Sequence, residues 1–130
     1  MKPLYEILME SMNESKGFEG DILQLKKSYV LYTSGDYDMF CDMGKEDIWE
    51  ELCKYLGNSD GDVVIPRGSI IQLGEHDEYF RGITLWTKKV NFLGLTINAD
   101  QEEEIMDIAK EIGVEEMDGF TKRYQAITIG

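Results

Sequence analysis

The chain has 130 residues, 42% of them hydrophobic and 11% aromatic, with 26 Asp and Glu against 13 Lys and Arg for a formal net charge of −13. That length suits one domain that buries about two thirds of the surface its unfolded form exposes, and the aromatic content argues against a disordered chain of this charge. The sign of the charge argues against direct nucleic-acid binding, where affinity comes from Lys and Arg displacing counterions from phosphate.

Pro3 stands where a first helical turn tolerates it. Tyr5, Leu8, Met9 and Met12 follow at i, i+3, i+4 and i+7, which predicts a short helix with one apolar stripe. The N-terminus has no apolar run of signal-peptide length, and no window approaches the roughly eighteen apolar residues of a membrane span. A soluble, cytoplasmic protein is expected. Residues 29–33, Tyr-Val-Leu-Tyr-Thr, are rich in strand formers and end at the turn composition Ser34-Gly35-Asp36, with 21–25 as a candidate pairing partner. From Glu46 to Leu56 the apolar residues Ile48, Trp49, Leu52, Cys53, Tyr55 and Leu56 recur at helical spacing, and Gly57 offers a left-handed stop.

Beyond the turn at 58–61 the pattern becomes strand-like. Residues 63–65 and 69–73 are apolar runs bounded by Gly or Pro, and 83–87 and 90–98 flank Lys88-Lys89 as a hairpin, with Gly94 as a bulge position. Asp100 followed by Glu103 has capping-box spacing. Ile105, Ile108, Ala109 and Ile112 then form a buried stripe, and Gly113 ends the helix. A final strand is expected within 124–129. No linker, repeat or low-complexity run divides the chain. The reading is a single α+β domain over 1–130, with a mainly antiparallel sheet of five or six strands and about three helices on one face.

The acidic excess is concentrated. Residues 36–62 carry −7, residues 98–118 carry −8, and everything else sums to +2. On the helix from Asp100, Glu103, Asp107 and Glu111 follow at i and i+4 opposite the apolar stripe, with Glu104 nearby. Like charges at that spacing cost a few tenths of a kcal/mol each. Such acids can serve only solubility. They can also form a ridge with Glu102, Glu115, Glu116 and Asp118 that fits a basic groove, while Asp36, Asp38, Asp42, Glu46, Asp47, Glu50 and Glu51 form a second ridge.

Catalytic constellations are thin. His76, the single histidine, lies in Gly74-Glu75-His76-Asp77-Glu78 on an expected turn, without the further ligands of a zinc site or a nucleophile for a triad. Asn58-Ser59-Asp60-Gly61-Asp62 has the alternate oxygens of a calcium loop, but Val63 stands where such a loop needs Gly and Ser69 where Glu closes it. Neither standard nucleotide-binding glycine motif occurs. Cys41 and Cys53, the only cysteines, read as buried reduced thiols. No cofactor or metal is expected.

Tyr37 and Tyr79 sit beside acids in expected loops, where exposed tyrosine gives a contact patch an apolar centre within a charged rim. The basic residues Arg67, Arg81, Lys88, Lys89, Lys122 and Arg123 either guard a sheet edge or hold a small anion. The leading expectation is a non-enzymatic inhibitor that occupies a basic surface on a nucleic-acid-handling protein, a nucleic-acid mimic in the manner of phage anti-defence proteins. An immunity protein or antitoxin against a basic nuclease toxin is the nearest variant. A ligand-binding domain or enzyme using Arg67, Arg81 and His76 around an anionic small molecule is the second class, and a structural subunit whose charge confers solubility is the third.

Overall fold

The segments that alternate apolar and polar residues form strands, and those with apolar residues three and four apart form helices. In the computed structural model, which describes residues 18–130, the order is β1 (Ile22–Leu25), β2 (Tyr29–Tyr32), a 3-10 turn (Ser34–Asp36), α1 (Tyr37–Asp42), α2 (Glu46–Leu56), β3 (Val63–Ile65), β4 (Ile70–His76), β5 (Phe80–Trp86), β6 (Val90–Asn98), α3 (Ala99–Ile108), β7 (Ala109–Glu111), α4 (Val114–Arg123) and β8 (Ile127–Ile129). The helix expected at 4–12 lies outside the described residues. A six-stranded sheet runs β7-β1-β4-β5-β6-β8, antiparallel except for the β6–β8 pair, and β2 and β3 form a separate antiparallel pair. This is the expected α+β architecture, with four described helices.

Strand alternation decides which helix covers which face. Leu23 and Leu25, Ile71 and Leu73, and Ile83 and Leu85 point to one side, where they join Phe40 of α1, Trp49, Leu52 and Leu56 of α2, and Ile105 of α3 in the main core. Ile22, Ile70 and Trp86 occupy alternate positions and so face the other side, where Ile112 and the α4 residues Met117 and Phe120 cover them. α1, α2 and α3 thus share one face, α1 being a helix the sequence reading did not predict, and α4 lies across the opposite face rather than beside them.

Several local expectations need correction. β1 pairs with β4 and β7 rather than β2, and β2 pairs instead with β3. The helix expected from Asp100 to Ile112 starts two residues earlier. Asn98 is its N-cap: the side chain accepts the Gln101 N–H at 2.8 Å while Gln101 Oε1 accepts the Asn98 N–H at 2.9 Å. It ends at Ile108, because Ala109–Glu111 leaves the helix to extend the sheet beside β1. Gly113 accordingly caps the start of α4 instead of stopping α3, and Gly119 lies inside α4. Tyr37 opens α1 rather than a loop. Cys41 and Cys53 are free thiols, but half-buried. The predicted bulge holds: Gly94 has φ +74°, and the β5–β6 register shifts between Ile83 and Leu85.

Gly57 is required for a different reason from the one expected. Its φ of −79° is ordinary, but a Cβ there would stand 2.3 Å from the Cys53 carbonyl oxygen, which accepts the Gly57 N–H at 3.0 Å. Gly57→Ala is expected to lower stability by about 1–3 kcal/mol, the range for forced overpacking. A urea midpoint unchanged from the parent would refute it.

Candidate functional site

The antiparallel strands gather their turns at two ends of the main sheet, and the charges sort between them. A seven-residue strand such as β5 spans roughly 23 Å at about 3.3 Å per residue. At one end β4 carries Glu75 near its close, the β4–β5 turn carries Asp77 and Glu78, and the pairing of Phe80 with Asn98 sets this turn beside the start of α3, with Asp100. β1 begins there after Asp21, β7 finishes there at Glu111 opposite Leu23, and α4 opens there with Glu115 and Glu116. Of these acids, Asp100 stands in the first turn of α3 and Glu115 and Glu116 in that of α4, at the positive ends of the two helices.

The first acidic stretch reaches the same end. Asp36, Met39, Phe80, Asn98 and Gln101 line one small hollow of about 60 Å³. Asp36 Oδ2 accepts the Thr33 N–H at 2.8 Å, Asp62 Oδ1 accepts the Ser34 N–H at 2.9 Å, and Gln101 Nε2 donates to the Leu31 carbonyl at 2.7 Å. The two acidic stretches therefore meet where the chain leaves β2 and enters α3.

Aromatic and apolar side chains emerge among these acids. Asp77 Oδ1 accepts the N–H groups of Tyr79 at 2.9 Å and Phe80 at 2.7 Å. Those two bonds, Phe80 first, hold its carboxyl below the usual range. The turn fixed in this way leaves Tyr79 68% and Phe80 45% exposed, with Met39 exposed across the hollow. Tyr37 is exposed on the first turn of α1, its ring edge-on to Trp49 at 5.9 Å, and Asp38 follows it into solvent. Alternation puts Phe80 on the face of Gly82, Thr84 and Trp86, opposite Ile83 and Leu85, and its exposure follows from its place at the start of β5, beyond the reach of α4.

The helical ridge breaks up. Glu103, Glu104 and Asp107 lie on α3, but Glu111 is on β7, and Glu115 and Glu116 belong to α4. Glu103 is half-buried, and both it and Asp107 already interact within the fold. Glu102 is no ridge residue at all: its carboxylate oxygen Oε1 lies 2.7 Å from Arg81 Nε, and the two side chains are 3% and 4% exposed. Arg81 points to the core side of β5, and its other arm donates to the Gly74 carbonyl at 3.1 Å. Arg81 is therefore not a free anion-binding group. His76 ends β4 in solvent, and among the described residues no three His, Cys, Asp or Glu side chains gather as a metal site would require.

The opposite end is basic. It holds Lys26 and Lys27 after β1, Arg67 before β4, Lys88 and Lys89 in the β5–β6 turn, and Lys122 and Arg123 at the close of α4, with Lys110 on β7 beside Gln24. Lys88 Nζ sits 5.1 Å from the centre of the Tyr124 ring. A hydrogen bond to Lys88, supported by the Lys88 and Arg123 charges, draws the Tyr124 hydroxyl below its ordinary value.

Three other tyrosines titrate in the opposite sense, Tyr37 chiefly through a hydrogen bond to Cys41. Burial, then the Glu104 charge, raises Tyr29 from 10.0 to about 12. Burial also pushes Tyr32, whose hydroxyl donates to the Thr96 carbonyl at 2.7 Å, well above the phenolic range. Raised acids stabilise the fold fully below their unfolded value near 10.0, and that contribution is lost as pH climbs toward 12 and beyond, since the unfolded chain then releases protons the fold retains. Ultraviolet phenolate titration should show three of the seven tyrosines ionising late. All seven ionising together with the fold intact would contradict this. Among the described residues no helix is long and apolar enough to cross a membrane. No protein-family model, curated protein or solved structure matches the chain.

Proposed function

We propose that the protein is a non-enzymatic inhibitor that grips a basic surface of a nucleic-acid-handling protein in the cytoplasm, with the acidic end of its sheet as the contact. The observation carrying this reading is the exposed Tyr79, Phe80 and Met39, with Asp36 in the same hollow, Asp77 and Glu78 in the same turn and Asp100 at the start of α3 beside the Phe80–Asn98 pairing. An apolar, aromatic centre inside a charged rim is the anatomy of a protein-binding patch. Its sign suits a partner whose own ligand is phosphate, so that carboxylates compete for the cations that otherwise neutralise a nucleic-acid backbone. Tyr37, Asp38, Glu111, Glu115 and Glu116 extend the same surface, with Glu103, Glu104 and Asp107 on its flank.

The test is capture of binding proteins on the immobilised chain, followed by competition between this chain and nucleic acid for the recovered partner. The expected partner is basic, is displaced as the screening length contracts from about 10 Å at 0.1 M salt to about 3 Å at 1 M, and loses nucleic acid as this chain is added. A partner that holds this chain and nucleic acid together without competition would overturn the proposal.

A further inference from the structure

The basic end contains a concavity that the protein-binding reading does not use. It has a volume of about 310 Å³ and lies between the end of α2, the β3–β4 connection and the β5–β6 turn. Arg67, Lys88 and Lys89 stand on its wall, Tyr55, Leu56 and Pro66 give it an apolar floor, and no Asp or Glu lines it. In a chain where acids outnumber cations two to one, a hollow with three cations and no carboxylate marks a local reversal of the overall field. Arg67 also borders a second, shallower hollow of about 450 Å³ with Lys26 and Lys110, so the positive surface continues past the rim. Thr87, buried at the base of the turn, accepts the N–H groups of Lys89 at 3.3 Å and Val90 at 2.9 Å and donates to the Val90 carbonyl. The two lysines thus project from a braced turn rather than a loose one.

We propose that this concavity binds a small ligand carrying a phosphoryl group, its charge held by Arg67, Lys88 and Lys89 and its carbon skeleton resting on Tyr55, Leu56 and Pro66. Three cations match a phosphomonoester, which carries about −1.5 to −2 at neutral pH, better than a single carboxylate. Arginine adds a planar fork that suits phosphate oxygens. The chain's net charge does not forbid this. The acids of the far end lie a strand's length away, roughly 23 Å, whereas charges separated by more than about 8 Å are largely screened at physiological salt. The cations on the wall would meet the ligand directly. The site is independent of the acidic surface, and either can fail without the other.

The test is titration of the full chain with AMP, pyrophosphate and adenosine, read by amide chemical shifts and by calorimetry. AMP is expected to shift the amides of Ser69, Thr87 and Lys89. Adenosine, which lacks the phosphoryl group, should bind at least tenfold more weakly. Arg67→Ala and Lys89→Ala should each weaken AMP binding about tenfold, as expected for loss of a charge-assisted contact, while Lys45→Ala, outside the hollow, changes nothing. All three positions are exposed, so the variants should fold, which circular dichroism checks. Tighter binding of AMP than of pyrophosphate assigns the site to organic phosphates, and the reverse order assigns it to free phosphates. The proposal is overturned if neither AMP nor pyrophosphate binds at about 1 mM, if adenosine binds as well as AMP, or if the two variants bind AMP like the parent.

Discussion

Replacing either member of the Arg81–Glu102 pair alone, as Arg81→Met or Glu102→Leu, is expected to destabilise the protein by about 3–5 kcal/mol, because it strands an uncompensated charge in the core. For a domain of this size that corresponds to a fall in melting temperature of about 10–20 °C. The pair joins the core face of β5 to the first turn of α3 at 2.7 Å, and Arg81 also reaches the Gly74 carbonyl on β4, so three elements depend on it. The double variant Arg81→Met with Glu102→Leu is expected to recover most of the loss, since apolar residues of similar size remove both desolvation penalties together. Thermal and urea unfolding of the three variants measures the coupling. Single replacements that cost less than about 1 kcal/mol, or a double variant no better than the worse single, would show that the pair does not bear this weight.

Reversing charge at the acidic end should weaken partner capture far more than reversing it along α3. Glu78→Lys with Asp100→Lys changes two exposed acids that flank the Phe80–Asn98 pairing and leaves the turn-forming carboxylate of Asp77 in place. Complementary fields raise association rates by about 10- to 1,000-fold, so the double reversal is expected to slow association by at least tenfold at low salt. Glu103→Lys with Asp107→Lys should have a smaller effect, because these side chains lie on the flank and already interact within the fold. Association rates measured with the captured partner at two salt concentrations would decide it. Equal losses from both pairs would return the contact to the α3 ridge, and no loss from either would remove the acidic end from the interface.

The strands from Val63 to Asn98 were legible because each carries its own signal. The apolar runs at 63–65 and 69–73 and the alternation around Lys88-Lys89 need no distant partner to be recognised. β7 was illegible because Ala109 and Ile112 continue the helical spacing of Ile105 and Ile108. Only the vacant edge of β1 pulls Ala109–Glu111 into a strand. α4 was hidden by Gly113 and Gly119, residues that ordinarily interrupt helices, and it gains its stability from Met117 and Phe120 against the sheet. The acidic surface divides in the same way. Its charge was plain from composition, but its meeting with Tyr79 and Phe80 depends on the register that pairs Phe80 with Asn98, and no local pattern encodes that pairing. Glu102 and Arg81 looked like surface charges for the same reason: they come from different elements, and each conceals the other.

The last twenty or so residues close the sheet on both sides. β7 seals the outer edge of β1, α4 crosses the far face over Ile22, Ile70 and Trp86, and β8 lies along β6 at the other edge. During synthesis, β1, β4, β5 and β6 are all made before either guard strand exists, so the nascent sheet has two open borders able to recruit strands from a neighbouring chain. Synthesis of β7 and β8, rather than formation of the central hairpins, is the step that covers the borders of β1 and β6.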